Sequence, residues 1–137
     1  MIEFKSDVKN ITQEMLDGGF FEGWPKHPSP SVHLEILKSS FRAIVAIDVK
    51  TNKVVGFITA ISDGVYSIYI PLLEVLPEYQ GQGIGKRLLE IMFEQCKDFY
   101  MVDLLCDKEL QPYYENVGMI RSQGMLLRNY HRQAGNQ

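Results

Sequence analysis

Three glycines stand at alternate positions in the stretch LPEYQGQGIGKRLLEIMFEQC, which ends at Cys96. They are Gly81, Gly83 and Gly85, and an amphipathic helical pattern with basic residues at its head follows at once. A glycine-rich turn before a helix suits anion binding, because N–H groups at a helix N-terminus lack intrahelical acceptors and carry partial positive charge. Lys86 opposes the helix dipole unless an anion lies there. The segment predicts a phosphate site, with a tight ligand-free turn as the simpler alternative.

The spacing of these glycines excludes two common phosphate-binding motifs. A dinucleotide fingerprint, G-x-G-x-x-G, needs a glycine at the position that Lys86 occupies. A P-loop, G-x-x-x-x-G-K-[ST], needs glycine where the chain has Gln80, and serine or threonine where it has Arg87. A nucleotide site of either kind is therefore disfavoured.

One known motif does fit this loop. The pattern Gln80-x-x-Gly83-x-Gly85 resembles motif A of the GCN5-related N-acetyltransferases (GNAT superfamily), [QR]-x-x-G-x-[GA], which holds the pyrophosphate of acetyl-CoA. The later segment PYYENVGM resembles the family's FYEKLGF segment, with Tyr114 and Gly118 in the matching positions. The matched segments lie within residues 72–119, about a third of the chain, and their order is the family's.

The resemblance implies acetyl-CoA as the cofactor and places it beside the strand that precedes the loop. In the family, that strand pairs with the pantetheine arm much as an added β-strand would. Pro71 is compatible with the bulge at which the family's strand splays from its parallel neighbour, although an edge strand would also accept proline. Asp107 replaces a frequent asparagine and, when ionised, only accepts hydrogen bonds. The residues predicted to bind the cofactor are Leu73, Val75, Gln80, Gly81, Gln82, Gly83, Ile84, Gly85 and Lys86.

Acetyl transfer from a thioester to an amine needs a deprotonated amine, a polarised carbonyl and a stabilised leaving thiolate. The resemblance implies direct attack without an acyl-enzyme. It makes Tyr114 the predicted general acid toward the CoA sulfur, with packing on the sheet as the alternative, and the Val75 N–H a candidate to polarise the carbonyl. Glu74, the one acid in the run IYIPLLEVL, is a predicted base, although an exposed strand position or a substrate contact would also explain it.

The loop GGFFEGWPKHPSPSVH is the most unusual segment of the N-terminal half. Phe21 and Trp24 are predicted to line the acceptor pocket together with Phe20, and Glu22, His27 or His33 would supply polar contacts. A proline-stiffened loop whose aromatic rings cover the core is the alternative. The two histidines lie six residues apart across two prolines, which is not a metal-ligand spacing, so no metal site is expected.

Composition limits the remaining classes. The 137 residues suit one domain, 1–137, and the net charge of −3 provides no broad basic surface for nucleic acid. No apolar run reaches the roughly 18 residues of a membrane span, and the N-terminus lacks the pattern of a signal peptide. The two cysteines, Cys96 and Cys106, lack metal or disulfide-framework spacing. A cytoplasmic protein with reduced thiols is expected, and no membrane partner.

The expected fold class is α/β, more fully a mixed α+β domain. The resemblance implies a GNAT-like fold, a central, mostly antiparallel sheet with a splayed parallel strand pair, flanked by helices. Ser29 is the predicted N-cap of a helix whose first residue is Pro30. Strands are expected at 2–6, 41–48, 54–62, 66–75, 101–106 and 123–130, and helices at 10–17, 30–37, 84–97 and 110–117.

The leading functional hypothesis is an acetyl-CoA-dependent N-acetyltransferase that acts on the primary amine of a small molecule. Protein N-termini or lysines stay open as acceptors, because the pocket is built from loops whose geometry a sequence does not reveal. The alternative is a non-catalytic CoA-binding sensor or interaction module. The resemblance also leaves a homodimer open.

Overall fold

A five-stranded mixed sheet lies at the centre of the structure, a computed structural model that describes residues 1–135. The strand order is β1-β2-β3-β4-β5; neighbours are antiparallel except for β4 and β5, which are parallel. This confirms the predicted mixed α+β class with its parallel pair. The strands are β1 (Ile2–Lys5), β2 (Arg42–Asp48), β3 (Lys53–Ser62), β4 (Ser67–Val75) and β5 (Met101–Asp103), and the helices are α1 (Pro30–Ser39), α2 (Ile84–Gln95) and α3 (Gln111–Glu115).

The two longer helices cover opposite faces of the sheet. Gly56 and Phe57 are consecutive in β3, so they face opposite sides. Ile84, the first residue of α2, lies against Gly56, whereas the His33 ring of α1 packs on Phe57 with ring centroids 4.3 Å apart. Strands β2 and β3 are therefore buried on both faces, which explains their nearly unbroken apolar sequences.

Helix α1 begins where the sequence predicts. The Ser29 hydroxyl accepts a hydrogen bond from the Val32 N–H at 3.2 Å, and Pro30 takes the first helical position, where its missing N–H costs nothing. The helix ends at Ser39, two residues beyond the predicted end, and the Ser40 hydroxyl donates to the Ile36 carbonyl at 2.7 Å.

A bulge in β4 opens a gap between the parallel strands. Thr59 of β3 pairs with Leu72 of β4, but Ile61 pairs with Tyr69, so β4 carries one extra residue in the intervening step. Pro71 lies in that step, where a missing N–H donor is tolerated. The ladder between β4 and β5 ends at the pair Tyr69 and Asp103. Beyond it, residues 72–75 of β4 keep β3 as their only paired neighbour among the described residues.

Several predicted elements differ from the structure, and the helix expected at 110–117 is shorter, Gln111–Glu115. The strand expected at 123–130 is wrong, since these residues pair with no strand of the described chain. A suitable apolar pattern becomes a strand only where an edge satisfies its N–H and C=O groups. Strand β5 ends at Asp103 rather than Cys106, and the helix expected at 10–17 is a 3-10 turn, Gln13–Leu16, without a side-chain cap.

Cys96 is buried and Cys106 half-buried, and both are free thiols. Burial raises the pKa of both thiols, with Asp107 adding to the rise at Cys106. Both groups therefore stay in the less nucleophilic thiol form at neutral pH. Within residues 1–135, no helix combines the length and the apolar content that crossing a membrane requires.

Candidate active site

The loop between β4 and α2 presents a row of unpaired backbone donors. Gly81 and Gly83 have φ angles of +78° and +83°, which favour glycine, and Gly83 directly precedes α2. None of the N–H groups of residues 81–86 has an acceptor in the described chain; the first helical bond runs from the Arg87 N–H to the Gly83 carbonyl at 3.0 Å. A Cβ at Gly81 or Gly83 would meet no atom within 4 Å, so the space before the loop is open. This arrangement fits a bound anion.

Side chains around the loop hold it against the sheet. The Gln80 side-chain amide donates to the Val75 carbonyl at 2.9 Å, so the loop is tied to the end of β4. The Tyr79 hydroxyl donates to the Asp48 carboxylate at 2.7 Å, which lowers the pKa of Asp48 and raises that of Tyr79. The Gln82 amide donates to the Glu78 carbonyl at 3.4 Å. The donors are therefore fixed in place before a ligand binds, which lowers the entropy cost of binding.

Helix α3 carries two adjacent tyrosines, Tyr113 and Tyr114. Tyr114 is half-buried, and burial raises its pKa to about 12, with smaller contributions from Cys106 and Tyr113. Its hydroxyl therefore stays protonated at physiological pH and is available as a donor. The rings of the two tyrosines meet edge to face with centroids 5.2 Å apart.

The Tyr113 hydroxyl reaches the start of α2, a contact that sequence reasoning missed. A Cβ at Gly85 would lie 2.7 Å from the Tyr113 hydroxyl oxygen and 3.6 Å from a Val75 methyl group. The absence of a side chain at Gly85 thus makes room for this hydroxyl next to the end of β4. The sequence does show the extra hydroxyl, because Tyr113 occupies the position of a phenylalanine in the FYEKLGF segment.

Glu74 points to the opposite side of β4, toward α1. It pairs across the sheet with Phe57, and both of its carboxylate oxygens accept from the Phe21 N–H, at 3.1 and 3.0 Å. Burial raises the pKa of Glu74, the Phe21 N–H partly offsets that rise, and Glu22 adds to it. Phe21 has a φ of +67°, an unusual conformation for a residue with a side chain, and its N–H is the second contact that the sequence did not reveal.

The loop at residues 18–33, which is predicted to line the acceptor pocket, divides its aromatic residues between the core and the surface. Phe21 is buried, and its ring packs on Trp24 and His33 with both centroid distances 5.0 Å. Trp24 is 39% exposed, so of the two predicted pocket residues it is the one that presents ring surface to solvent. Phe20 is buried and meets the rings of His33 and Phe57 edge to face. The Phe21 ring therefore supports the loop, while its backbone contacts Glu74.

His33 is neutral in the folded protein. Burial among the rings of the loop lowers its pKa to about 4, and its Nε2 atom has no hydrogen-bond partner in the described chain. The unfolded chain takes up a proton near the ordinary pKa of 6.5. The contribution of His33 is therefore fully present above 6.5 and decreases as the pH falls from 6.5 toward 4.

We expect the free energy of unfolding to fall by about 2 kcal/mol between about pH 7.5 and about pH 5 because of His33. Urea unfolding at the two pH values measures this loss. His33→Phe removes the titrating group and keeps a ring in the cluster, so the variant should lose about 2 kcal/mol less than the wild type over the same interval. Equal losses in the two proteins would contradict this assignment.

The gap in the sheet lies between the two groups of candidate residues. Val75 faces α2 and the Tyr113 hydroxyl, whereas the neighbouring Glu74 faces α1 and the loop at residues 18–33. No hydrogen bond joins Glu74 to Tyr114 among residues 1–135. The arrangement allows an acyl donor along the free edge of β4 and an amine from the Glu74 side, with a proton donor on α3.

Comparison with known proteins extends these observations. The model of the acetyltransferase (GNAT) family matches residues 9–119. An uncharacterized N-acetyltransferase, ycf52, of Pyropia yezoensis is 30% identical over 132 residues, covering 88% of this chain and 74% of the relative. The GCN5-related N-acetyltransferase 2, chloroplastic, of Arabidopsis thaliana is 27% identical over 115 residues. The chain spans 56% of the ycf52 protein of Gracilaria tenuistipitata var. liui and 45% of the Arabidopsis protein.

Solved structures show the same fold. A crystal structure from Deinococcus radiodurans R1, provisionally named an acetyltransferase, aligns with a TM-score of 0.92 at 39% identity over 97% of this chain and 92% of that one. The GNAT protein SP0256 of Streptococcus pneumoniae aligns with a TM-score of 0.75 at 27% identity, covering 94% and 98%. The NatC complex bound to Gag peptide and CoA contains a chain with a TM-score of 0.68 at 25% identity, covering 89% and 86%. This chain belongs to the GNAT acetyltransferase family, whose acyl donor is acetyl-CoA.

Proposed function

We propose that the protein transfers the acetyl group of acetyl-CoA to the primary amine of a small molecule by direct attack. The observation that carries this proposal is the free edge of β4 at residues 72–75, which ends at a loop of unpaired N–H groups. An extended amide chain with an anionic end matches those two features in order. A half-buried carboxylate lies one residue from the end of the same strand.

Acetyl-CoA is held by the loop of unpaired N–H groups and by the free edge of β4. The N–H groups of residues 81–86 bind the pyrophosphate, with Lys86 as a counter-charge. The backbone of Leu73 and Val75 pairs with the pantetheine arm. Acetyl-CoA supplies the activated thioester, and the Val75 N–H polarises its carbonyl oxygen.

Proton transfer is assigned to two side chains. Glu74 takes the proton of the incoming ammonium, directly or through water, and its raised pKa suits a base that works near neutral pH. Tyr114 donates to the leaving sulfur, because its raised pKa keeps the hydroxyl protonated. The two groups act from different sides of the gap, so that the amine loses its proton on one side while the thiolate gains one on the other.

A small amine is proposed as the acceptor because Phe21 and Trp24 restrict access to Glu74. Both carboxylate oxygens are bonded to Phe21, and the Phe21 ring packs beneath Trp24. A slender amine reaches this half-buried carboxylate more easily than a folded protein surface does, and Trp24 offers an apolar contact. The NatC complex, which contains a chain of similar fold, is bound to a Gag peptide, so the acceptors to be tested include peptides. A cytoplasmic location is proposed as well, although one relative is named chloroplastic.

Release of CoA tests the activity. The protein is incubated with acetyl-CoA and a panel of primary amines, peptides with free N-termini and peptides with internal lysines, and free thiol is measured with a chromogenic disulfide. Turnover with small amines and little with peptides supports the proposal. Turnover with peptides alone would overturn the small-molecule acceptor. Binding of acetyl-CoA without turnover on any acceptor would favour a CoA-binding module instead.

We expect Glu74→Gln to lower kcat/KM about 100-fold, because it removes a general base. The variant should melt at the wild-type temperature or higher near pH 7. The raised pKa of Glu74 means that its ionised form destabilises the folded state near pH 7. Glutamine carries no charge, and its side-chain oxygen still accepts the hydrogen bond from the Phe21 N–H. Turnover assays and thermal melts measure the two effects.

Glu22→Gln is the matched control for this substitution. Glu22 is an exposed carboxylate next to Phe21, in the loop at residues 18–33. It lies near enough to Glu74 to raise the pKa of Glu74. Its removal should change kcat/KM by less than about tenfold and shift the acid limb of the pH profile to lower pH. Full activity of Glu74→Gln would remove the base assignment.

A further inference from the structure

A cavity of about 300 Å³ lies at the end of the sheet away from the glycine loop (residues 81–86). Its walls come from the residues after β1, the end of α1, the start of β2 and the end of α2. This volume is at the lower end of the range for small-molecule sites. Helix α2 begins at the glycine loop and reaches the cavity with its last residue, Gln95. Its length separates the cavity from the proposed acetyl-CoA site by about 18 Å.

Arg42, the first residue of β2, brings a guanidinium without hydrogen-bond partners to this cavity. Its Nε atom is buried and has no acceptor in the part of the chain that the structure describes. None of the ion pairs among residues 1–135 includes Arg42. The guanidinium carbon lies 5.1 Å from the centre of the Phe41 ring, a contact that uses none of its N–H donors. A buried N–H without an acceptor costs free energy, which an anion in the cavity would recover.

Two more donors line the same cavity. Lys38, in the last turn of α1, takes part in no ion pair within residues 1–135. The Ser6 hydroxyl oxygen accepts from the Gln95 side-chain amide at 2.7 Å, which leaves the hydroxyl proton available to a ligand. The acid of the lining, Asp7, is exposed and accepts from the Lys9 N–H at 2.9 Å. Two cations against one carboxylate leave the cavity with an excess of positive charge.

The helix ends beside the cavity do not use these donors. A helix C-terminus attracts cations because it carries about half a negative charge. Arg42 lies near the end of α2, where burial raises the pKa of the Cys96 thiol and the Arg42 charge partly offsets that rise. At the end of α1, however, the Ile36 carbonyl accepts from the Ser40 hydroxyl at 2.7 Å, and within residues 1–135 no carbonyl accepts from the Arg42 or Lys38 side chain. A full negative charge therefore matches the two cations better than a helix dipole does.

We propose that this cavity binds a small organic anion, whose carboxylate or phosphate group is held by Arg42, Lys38 and Ser6. The planar guanidinium presents paired N–H donors that match either group, and the ammonium adds a compact charge. Leu37 and Ala43 are buried residues of the lining and provide apolar contacts for a carbon skeleton. The anion and acetyl-CoA occupy different places, so both bind at once. This inference does not depend on acetyl transfer.

Titration of the full chain with small anions tests the site. The probes are malonate, benzoate and phenyl phosphate, with benzyl alcohol as the neutral analogue, and saturating CoA occupies the glycine loop throughout. Amide resonances of residues 6–8 and 40–43 should shift with at least one anion at millimolar concentration and not with benzyl alcohol. A response to benzoate or malonate alone identifies a carboxylate ligand, and a response to phenyl phosphate alone identifies a phosphate. No shift at these residues, or shifts confined to residues 81–86, would overturn the proposal.

Three variants assign the binding to the named side chains. Arg42→Lys keeps the charge but loses the paired donors and Nε, so it should weaken binding of the effective probe about tenfold. Lys38→Gln changes an exposed helix position and should weaken binding about threefold, which keeps the test valid if Arg42→Lys fails to fold.

Lys108→Gln is the matched control for these variants. Lys108 is exposed in the turn before α3 and does not line the cavity, so its removal should change the affinity by less than about twofold. Equal affinities in the wild type, Arg42→Lys and Lys38→Gln would overturn the assignment. Displacement of the probes by CoA would also overturn it, since the anions would then bind at the glycine loop.

Discussion

Gly83→Glu is expected to abolish the thermal stabilisation of the protein by acetyl-CoA while leaving the domain folded. The wild type with cofactor at about 100 times its dissociation constant should gain about 2.7 kcal/mol, which is several degrees in melting temperature for a chain of this size. Glutamate places a negative side chain among the unpaired N–H groups that bind the pyrophosphate. A Cβ at Gly83 meets no atom within 4 Å, so the loss of stabilisation by acetyl-CoA does not come from a clash in the core.

Gly64→Glu is the matched control for this experiment. Gly64 has a φ of +81° in the β3–β4 turn, so a side chain there causes similar backbone strain, of about 1–2 kcal/mol, at a distance from the loop. This variant should melt at a lower temperature than the wild type and keep the full shift with acetyl-CoA. ATP and NAD should give no shift with any of the three proteins. A full acetyl-CoA shift in Gly83→Glu would mean that the cofactor does not bind on this loop.

Local rules were sufficient for the parts of the fold that depend on neighbouring residues. The Ser29 cap and Pro30 define the start of α1 because both act within one turn of chain. Pro71 was compatible with either a bulge or an edge strand, since proline cannot donate in a ladder, and the structure has the bulge. Gly81 and Gly83 have the positive φ angles that glycine adopts more readily than other residues. In each case the relevant property belongs to one residue or to one turn of chain.

Contacts between residues far apart in the chain could not be predicted from the sequence. The segment at 123–130 has the composition of a strand, but pairing depends on an available edge, which its own sequence does not describe. Strand alternation places Glu74 on the opposite face from Leu73 and Val75, but the contact partner of its carboxylate is the Phe21 N–H, 53 positions away. The Tyr113 contact with Gly85 likewise joins two helices that only the fold brings together.

Tyr114→Phe is expected to lower kcat by about 100-fold or more and to change the binding of acetyl-CoA little. The substitution keeps the ring that packs against the core and removes the hydroxyl that protonates the leaving sulfur, a contribution made chiefly in the transition state. Because the pKa of Tyr114 is about 12, its ionisation does not contribute to the pH profile near neutrality. The acid limb, which reports the base, should therefore keep its midpoint in the variant. Steady-state rates across pH and calorimetric titration with acetyl-CoA measure these quantities.

Tyr113→Phe separates the two hydroxyls of α3. It makes the same chemical change one residue earlier, where the hydroxyl faces Gly85 rather than the Cys106 side. The loss of kcat should be less than about tenfold, well below that of Tyr114→Phe. If the order of the two losses were reversed, the general acid would be Tyr113, the hydroxyl nearer the end of β4. If both variants turned over at the wild-type rate, neither tyrosine would protonate the thiolate, and water at the mouth of the gap would have to do so.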